Sequence, residues 1–117
     1  METEIERCAI TTTLEVLGGK WKIVILWHLI DKTRRFNEIK HLVNGITHKM
    51  LAHQLRELEA NGLIRRTVYP EVPPRVEYSI TAYGSTLIPV LKAMAQWGLE
   101  HEQGLTRQVA NSGLKRM

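Results

Sequence analysis

Five side chains that carry hydrogen-bond donors or positive charge lie close together in the middle of the chain. They are Thr47, His48, Lys49, His53 and Arg56. Cations and donors of this kind can bind the phosphates of double-stranded DNA and hydrogen-bond to base edges in its major groove. A solvated helix face without any ligand has a similar composition, so the surrounding sequence must separate the two interpretations.

The positive charge of the chain is concentrated around this segment. Residues 34–66 contain seven Lys/Arg and three Asp/Glu, whereas the other residues contain nine of each, so the net charge of +4 arises here. This pattern favours a surface that faces nucleic acid. Arg35 and Arg66 are further candidates for phosphate contact, although each could instead pair with Glu38 or Glu77.

Catalytic and metal-binding chemistry have weaker support in the sequence. Cys8 is the only cysteine, and as a nucleophile it would need a nearby histidine and an orienting group, for which no spacing is apparent. His53 and Glu57 are four residues apart and could share a metal ion, but a third ligand is missing. We therefore predict no enzyme activity, no metal site and no cofactor.

Cys8 is also a candidate redox sensor. It lies beside Arg7 at the expected start of the first helix, and a cation and a helix N-terminus both favour the reactive thiolate. A single cysteine allows only an intersubunit disulfide, a mixed disulfide or an adduct. A buried and inert thiol is the alternative interpretation.

The hydrophobic pattern predicts the helix that must position the cationic residues. Thr47 is a suitable N-cap and Gly62 a suitable residue just beyond the C-terminus. The residues that repeat at helical spacing on the inward face are Met50, Leu51, Leu55 and Leu58.

The neighbouring elements complete a recognisable order. An amphipathic helix over residues 36–43 and the turn at 44–45 precede the cationic helix, which predicts a helix-turn-helix. Residues 64–69 and 76–80 have the β-branched or alternating patterns of strands, and the loop at 70–74 contains three prolines. Helix-turn-helix followed by a β-hairpin is the order of a winged helix, with Arg75 at the stem of the wing and directed towards DNA.

Three further helices are expected around this region. Residues 20–30 are almost entirely apolar, which predicts a helix buried nearly all round; His28 within it is interpreted as a core or interface histidine with a satisfied hydrogen bond. A first helix over 8–17 and a last helix over 82–103, capped by Thr81 and bent at Pro89, flank the DNA-binding core of residues 18–81. The apolar residues expected to form a dimer interface are Ile10, Leu14, Leu91, Met94 and Trp97.

The sequence resembles the HxlR-type winged-helix regulators, relatives of the MarR group, from Cys8 to about Trp97. The resemblance rests on these motifs: Gly18-Gly19-Lys20-Trp21, Arg35-Phe36-Asn37-Glu38, Gly45-Ile46-Thr47, Leu55-Arg56-Glu57-Leu58-Glu59, Gly62-Leu63, the wing over 69–78, and Thr81 with Gly84. It implies homodimers formed through the first and last helices, operators with inverted symmetry and, in several members, a sensing cysteine at the place of Cys8. The chain departs from the family at Ala9, where proline is frequent, and at His48 and His53, where glutamines are frequent.

The sequence therefore predicts a mainly α fold with a small β-hairpin (α+β), in one domain over residues 1–117 with a flexible tail at 104–117. The longest apolar run, Ile23–Trp27, is far shorter than the roughly 20 residues of a membrane span, and the acidic N-terminus lacks a signal peptide. We expect a cytoplasmic regulator whose partners are double-stranded DNA, a second copy and a small-molecule or oxidant effector. The alternative is a winged-helix protein-interaction module without specific DNA binding, which salt dependence would distinguish.

Overall fold

The computed structural model describes residues 4–112, with side chains for residues 4–104. The chain divides into two compact units, residues 1–86 and residues 87–117. The first unit contains helices α1 (Glu4–Leu17), α2 (Lys22–Trp27), α3 (Phe36–Leu42) and α4 (His48–Ala60) and strands β1 (Ile64–Tyr69) and β2 (Arg75–Ile80). A 3-10 turn (Gly84–Leu87) follows and ends at the first residue of the second unit. The second unit contains helix α5 (Ile88–Ser112).

The two central helices of the first unit meet at a tight turn. Gly45 has φ +88°, in the left-handed region that glycine adopts without strain, and Ile46 next to it is buried. Apolar residues from α2, α3, α4 and the hairpin form the core. The residues with almost no exposed surface are Leu17, Ile25, Leu26, Leu29, Ile39, Val43, Ile46, Leu51, Leu55, Leu58, Leu63 and Ile64.

The hairpin is antiparallel, and its register pairs Ile64 with Ile80 at the base and Tyr69 with Arg75 near the tip. A third chain segment joins the sheet, because Arg34 and Tyr78 exchange backbone hydrogen bonds of 2.9 and 2.8 Å. The predicted order of helix-turn-helix and β-hairpin is thus confirmed, and a single-residue bridge before α3 adds to it.

The helix over residues 20–30 differs from the prediction. It spans only Lys22–Trp27, and it is not buried all round, since Val24 and Trp27 are each about two-fifths exposed. Its one charged residue points inward instead: Lys22 is 9% exposed. The reason is a partner for its ammonium group on α4, described below.

The terminal helices also have different limits from those expected. α1 begins at Glu4, so it starts a turn before the predicted residue 8. Thr81 accepts a hydrogen bond from the Gly84 N–H at 2.9 Å, so it caps the 3-10 turn rather than α5. α5 begins at Ile88 and continues to Ser112 through most of the expected tail, while residues 113–117 lie outside the described part of the chain.

The proline that was expected to bend the last helix lies in its first turn. Pro89 is the second residue of α5. The backbone N–H groups of a first helical turn have no partner within the helix, so proline is tolerated there without a bend.

Candidate nucleic-acid interface

The helix that carries the cationic residues has the predicted N-cap at Thr47 and the predicted glycine just beyond its C-terminus. The Thr47 hydroxyl accepts a hydrogen bond from the Met50 N–H at 3.1 Å, and Gly62 follows the helix with φ +76°. Three leucines at helical spacing anchor α4 in the core: Leu51, Leu55 and Leu58. Met50 was also expected on this inward face, but it is 37% exposed and its sulfur accepts from the Gln54 amide at 3.3 Å.

The outward face of α4 brings the predicted contact residues together. The five predicted residues are all exposed at the cap, the N-terminal half and the centre of the helix: Thr47, His48, Lys49, His53 and Arg56. No carboxylate of the described residues lies within 4 Å of the Lys49 ammonium or the Arg56 guanidinium. The His48 ring contacts the Phe36 ring of α3, with centroids 4.5 Å apart and a tilt of 46°. This contact holds His48 close to the helix-turn-helix junction.

A chain of charged groups lies at the middle of α4. Lys22 donates from Nζ to Glu57 Oε1 at 2.6 Å, and His53 Nε2 lies 3.2 Å from Glu57 Oε2. The hydrogen bond from Lys22 lowers the pKa of Glu57, and the charge of His53 acts in the same direction. Both oxygens of the carboxylate are therefore engaged. Within residues 4–104, no group of three His, Cys, Asp or Glu side chains is arranged to hold a metal ion.

A cleft of about 370 Å³ lies between α4 and the hairpin. Its lining residues are Ala52, Leu55, Arg56, Glu59, Arg66 and Tyr78. Two guanidinium groups and one carboxylate share this cleft, so it carries a net positive charge. Arg66 was expected either to bind phosphate or to pair with Glu77; Glu77 instead pairs with Arg75.

The two arginines that precede α3 have different environments. The backbone N–H of Arg35 donates to Glu38 Oε1 at 2.9 Å, while its side chain is exposed and has no carboxylate within 4 Å among the described residues. Arg34 is largely buried: it donates from Nε to the His28 carbonyl at 2.6 Å and lies 3.6 Å from Asp31 and 4.0 Å from Glu38. Arg35 is thus available to a ligand and Arg34 is structural.

The environment of His28 follows from the same cluster. Burial lowers the pKa of His28, and the nearby Arg34 guanidinium lowers it further, while Asp31 acts in the opposite direction. His28 is half-buried rather than part of the fully buried core. The hydrogen bond at this residue is made by its backbone carbonyl, which accepts from Arg34 Nε, so the satisfied hydrogen bond of its side chain stays a prediction.

Arg75 in the wing is surrounded by partners. Its guanidinium lies 3.2 Å from Glu71 and 3.4 Å from Glu77, and it stacks on the Tyr69 ring at 4.0 Å. The fully exposed Val72 lies in the middle of the loop that precedes it. In this arrangement the charge of Arg75 is balanced within the wing, and its predicted contact with DNA stays a prediction.

The predicted interface residues of the two terminal helices differ in exposure. Ile10 and Leu14 of α1 are 58% and 63% exposed, and Met94 and Trp97 of α5 are 46% and 66% exposed. Leu91 is only 1% exposed, so it offers almost no surface to a partner. The Trp97 ring stacks on the His101 ring, with centroids 4.9 Å apart.

Cys8 is exposed, but the sequence argument for its activation does not hold. Because α1 begins at Glu4, Cys8 lies beyond the first turn, where the helix dipole has little effect. Arg7 is also engaged by Glu4, at 3.4 Å. The exposure of the thiol excludes the alternative of a buried residue within the single chain.

Sequence reasoning missed two residues that organise this surface. Lys22 had a signal, since it is the one charge in the apolar segment 21–27, and a lone charge in such a segment needs a partner. Arg34 had a local signal too, since Asp31 and Glu38 lie three and four residues from it, whereas its backbone pairing with Tyr78 had none.

Comparison with known proteins identifies relatives over most of the chain. A model of the HxlR-like helix-turn-helix family matches residues 16–105. The HTH-type transcriptional regulator YdeP of Bacillus subtilis (strain 168) is 49% identical over 104 residues, which are 89% of this chain and 81% of YdeP.

Solved structures share the fold. The redox regulator HypR in its reduced form has a TM-score of 0.80 and 46% identity, over 85% of this chain and 98% of HypR. A regulator of the MarR family from Porphyromonas gingivalis W83 has a TM-score of 0.79 and 36% identity, over 86% of this chain and 98% of that protein. These winged-helix relatives confirm the predicted fold class.

The relatives also indicate the kind of protein. They are named as regulators of transcription and not as enzymes. In the described part of the chain, no helix is long and apolar enough to cross a membrane. The length of the family match and the identity to YdeP give one conclusion: the chain belongs to the HxlR-like helix-turn-helix family of transcriptional regulators.

Proposed function

We propose that this regulator binds a specific double-stranded DNA operator as a homodimer, with α4 in the major groove. The observation that carries the proposal is the free charge on the outer face of α4. Lys49 and Arg56 are exposed there without a carboxylate partner among the described residues, while Lys22, Arg34 and Arg75 are all engaged. Unpaired cations on a helix supported by a rigid core are suited to phosphates and base edges.

The proposed contacts follow the positions of the side chains. Residues of the first two turns of α4 face the base edges, as in other helix-turn-helix proteins: Thr47, His48, Lys49 and His53. Arg56, Arg35 and Arg66 are assigned to phosphates at the edges of the groove. Arg75 is assigned to the flanking backbone or minor groove. Its contribution to DNA affinity is expected to be smaller, because DNA must compete with two glutamates for its guanidinium group.

The homodimer is proposed because both terminal helices expose large apolar side chains. Besides Ile10, Leu14, Met94 and Trp97, Ile5 is 80% exposed on α1 and Leu99 is 54% exposed on α5. Exposed large apolar side chains in such number on a helix are typical of an interface. Two recognition helices related by twofold symmetry would address an inverted repeat with half-sites about 34–36 Å apart, or a multiple of that distance.

The test is DNA binding by the full chain to duplexes that tile the DNA flanking its own coding region, with unrelated duplexes of equal length as the control. We expect a preferred duplex with inverted symmetry, and an affinity that falls steeply with salt. Sedimentation at micromolar concentration should show a dimer. A monomer, or equal and weak binding to every duplex, would contradict the proposal and favour the protein-interaction module.

We further propose that Cys8 makes DNA binding sensitive to oxidants. The support is its exposed thiol on a helix of the proposed interface and the similarity to HypR, which is a redox regulator. Diamide would take up the two electrons and two protons lost when the Cys8 thiols of two copies form a disulfide. The test compares DNA release by the wild type and by Cys8→Ser after diamide treatment. Equal release by both proteins would contradict a sensing role.

A further inference from the structure

We propose that the cleft between α4 and the hairpin binds a small zwitterion of the amino-acid class, with an apolar side chain, and that this ligand releases DNA. The cleft contains Arg56 and Arg66, which are also assigned to DNA phosphates above. The release of DNA therefore rests on the proposed function, whereas binding of the ligand by itself does not.

Two rows of side chains form the cleft. On α4, Ala52, Arg56 and Glu59 follow one another at spacings of four and three residues, which places them on one side of the helix. On the hairpin, Arg66 and Tyr78 are paired directly across the two strands, so their side chains leave the same face of the sheet. The resulting volume of about 370 Å³ is suited to a small ligand, since ligand pockets span roughly 300–1,000 Å³.

The charges in the cleft lack partners. Neither Arg56 nor Arg66 has a carboxylate within 4 Å among the described residues, and Glu59 has no cation within that distance there. Guanidinium groups donate hydrogen bonds in a planar arrangement that matches a carboxylate. Glu59 can only accept hydrogen bonds when it is ionised, so it favours an ammonium group and disfavours a second anionic group beside it.

The other lining residues supply apolar surface and one hydroxyl group. Ala52 and Leu55 line the cleft from α4, and the Tyr78 ring lines it from the hairpin. Tyr78 is only 8% exposed, yet its hydroxyl forms no hydrogen bond with another described residue. The hydroxyl of a tyrosine buried to this extent usually has a partner. It is therefore available to the carboxylate of a ligand.

These features together select the class of ligand. A zwitterion places its carboxylate at the two arginines and its ammonium group at Glu59, while its side chain covers the apolar surface. A phosphate group would satisfy the arginines but would leave Glu59 next to another negative charge. Arg56 and Arg66 cannot hold the ligand and DNA phosphates at the same time, so ligand and operator compete, and each weakens binding of the other.

The direct test is isothermal titration calorimetry of the full chain without DNA, with four probes. L-phenylalanine carries both charges, 3-phenylpropionate lacks the ammonium group, 2-phenylethylamine lacks the carboxylate, and inorganic phosphate lacks the apolar group. We expect L-phenylalanine to bind with a Kd of about 1 mM or tighter. The other probes should bind at least about tenfold more weakly, because each loses a charged hydrogen-bonding group or the apolar contact.

Variants of exposed residues locate the ligand. Arg66→Gln should weaken L-phenylalanine and 3-phenylpropionate alike, by about tenfold, because both lose a partner of the carboxylate. Glu59→Gln should weaken only L-phenylalanine, since 3-phenylpropionate has no ammonium group. Arg65→Gln is the matched control: Arg65 is exposed beside Arg66 on β1, but it belongs to the opposite face of the hairpin. Circular dichroism verifies that each variant is folded.

Several results of the calorimetry would overturn the inference. One is the absence of binding by both L-phenylalanine and L-leucine, which is titrated as a smaller side chain. Another is equal or tighter binding of 3-phenylpropionate or phosphate to the wild type, because Glu59 would then take no part in selection. Equal losses in Arg65→Gln and Arg66→Gln would indicate a general effect of charge and not a site in the cleft.

The second test measures competition with DNA on the duplex that the full chain prefers. At a concentration of L-phenylalanine ten times its Kd, the apparent Kd for this duplex should rise about tenfold. An unchanged affinity for DNA would overturn the release of DNA by the ligand. If L-phenylalanine binds with the expected selectivity but no duplex is preferred, specific DNA binding fails and the ligand site stands.

Discussion

The recognition helix α4 and the wing carry similar charged residues but present them differently. On α4, Lys49 and Arg56 are exposed and have no carboxylate partner among the described residues. In the wing, Arg75 is held by Glu71 and Glu77 and stacks on an aromatic ring. The number of cations in a segment therefore does not measure the charge that a ligand meets, because nearby carboxylates decide how much of it is available.

The recognition helix and the wing also differ in how extensively they pack against the rest of the protein. α4 rests on three buried leucines and is joined to α2 through Lys22 and Glu57. The wing tip over residues 70–74 is exposed throughout, and its charged contacts lie within the hairpin itself. A rigid helix suits base reading, where small displacements matter, whereas the wing is suited to less exacting backbone contact.

The largest expected effect is on the free energy of unfolding, and it tests the difference in packing between α4 and the wing. Leu55→Ala should lower the free energy of unfolding by about 2–5 kcal/mol, because it leaves a cavity under the recognition helix. Val72→Ala at the exposed wing tip should change it by less than about 0.5 kcal/mol. Urea unfolding at one fixed protein concentration measures both. Similar losses for the two variants would mean that the wing is packed as firmly as α4.

The next effect concerns DNA affinity. Lys49→Ala or Arg56→Ala should weaken operator binding by about 1–3 kcal/mol if a base contact is lost, or lower the salt slope by about 0.9 if a phosphate contact is lost. Arg75→Ala should weaken binding less than either, since its charge is already balanced. Lys92→Ala removes an exposed charge from α5 and serves as the matched control.

Removing the two carboxylates of the wing tests whether they restrain Arg75. Glu71→Gln combined with Glu77→Gln releases Arg75 from both carboxylates, so it should tighten DNA binding. The gain should be smaller in the Arg75→Ala background, since only repulsion between glutamate and phosphate is then removed. An equal gain in both backgrounds would show that Arg75 takes no part in binding.

A smaller effect is expected at the start of the recognition helix. Thr47→Ala removes the side-chain acceptor for the Met50 N–H, so it should cost about 1 kcal/mol of unfolding free energy in the absence of DNA. Thr47→Ser keeps the hydroxyl and should retain most of the stability. If serine and alanine are equally destabilising, the methyl group and not the cap is responsible.

The smallest effect is a pH dependence of stability that belongs to α4. The pKa of Glu57 is lowered in the folded state, first by the hydrogen bond from Lys22. The folded state therefore favours the carboxylate, and the resulting stability is present above the ordinary pKa of 4.5 and is lost as the pH falls through the lowered value. Thermal unfolding from pH 7 to pH 3 should show a flatter decline for Glu57→Gln than for the wild type. Glu59→Gln, on the same helix, should decline like the wild type.

Elements whose signals are local could be predicted from the amino-acid sequence alone. The leucine spacing, the Thr47 cap and Gly62 specify α4, and the strands of the hairpin follow from their alternating and β-branched residues. These signals act between residues a few positions apart, where helix and strand geometry apply directly. The exposed cationic face of α4 follows from them, because three buried leucines leave only one side of the helix outward.

Tertiary packing determines which charged side chains have partners and which are free. Lys22 turns inward because Glu57 accepts its hydrogen bond at 2.6 Å, although Glu57 is 35 residues away in the chain. Arg34 has only 16% of its side chain exposed, and its backbone pairs with the distant Tyr78 while its side chain contacts the His28 carbonyl, Asp31 and Glu38 nearby in the sequence. An ion pair depends on the distance and burial of two groups, and tertiary packing brings those groups together in a way that no local pattern records.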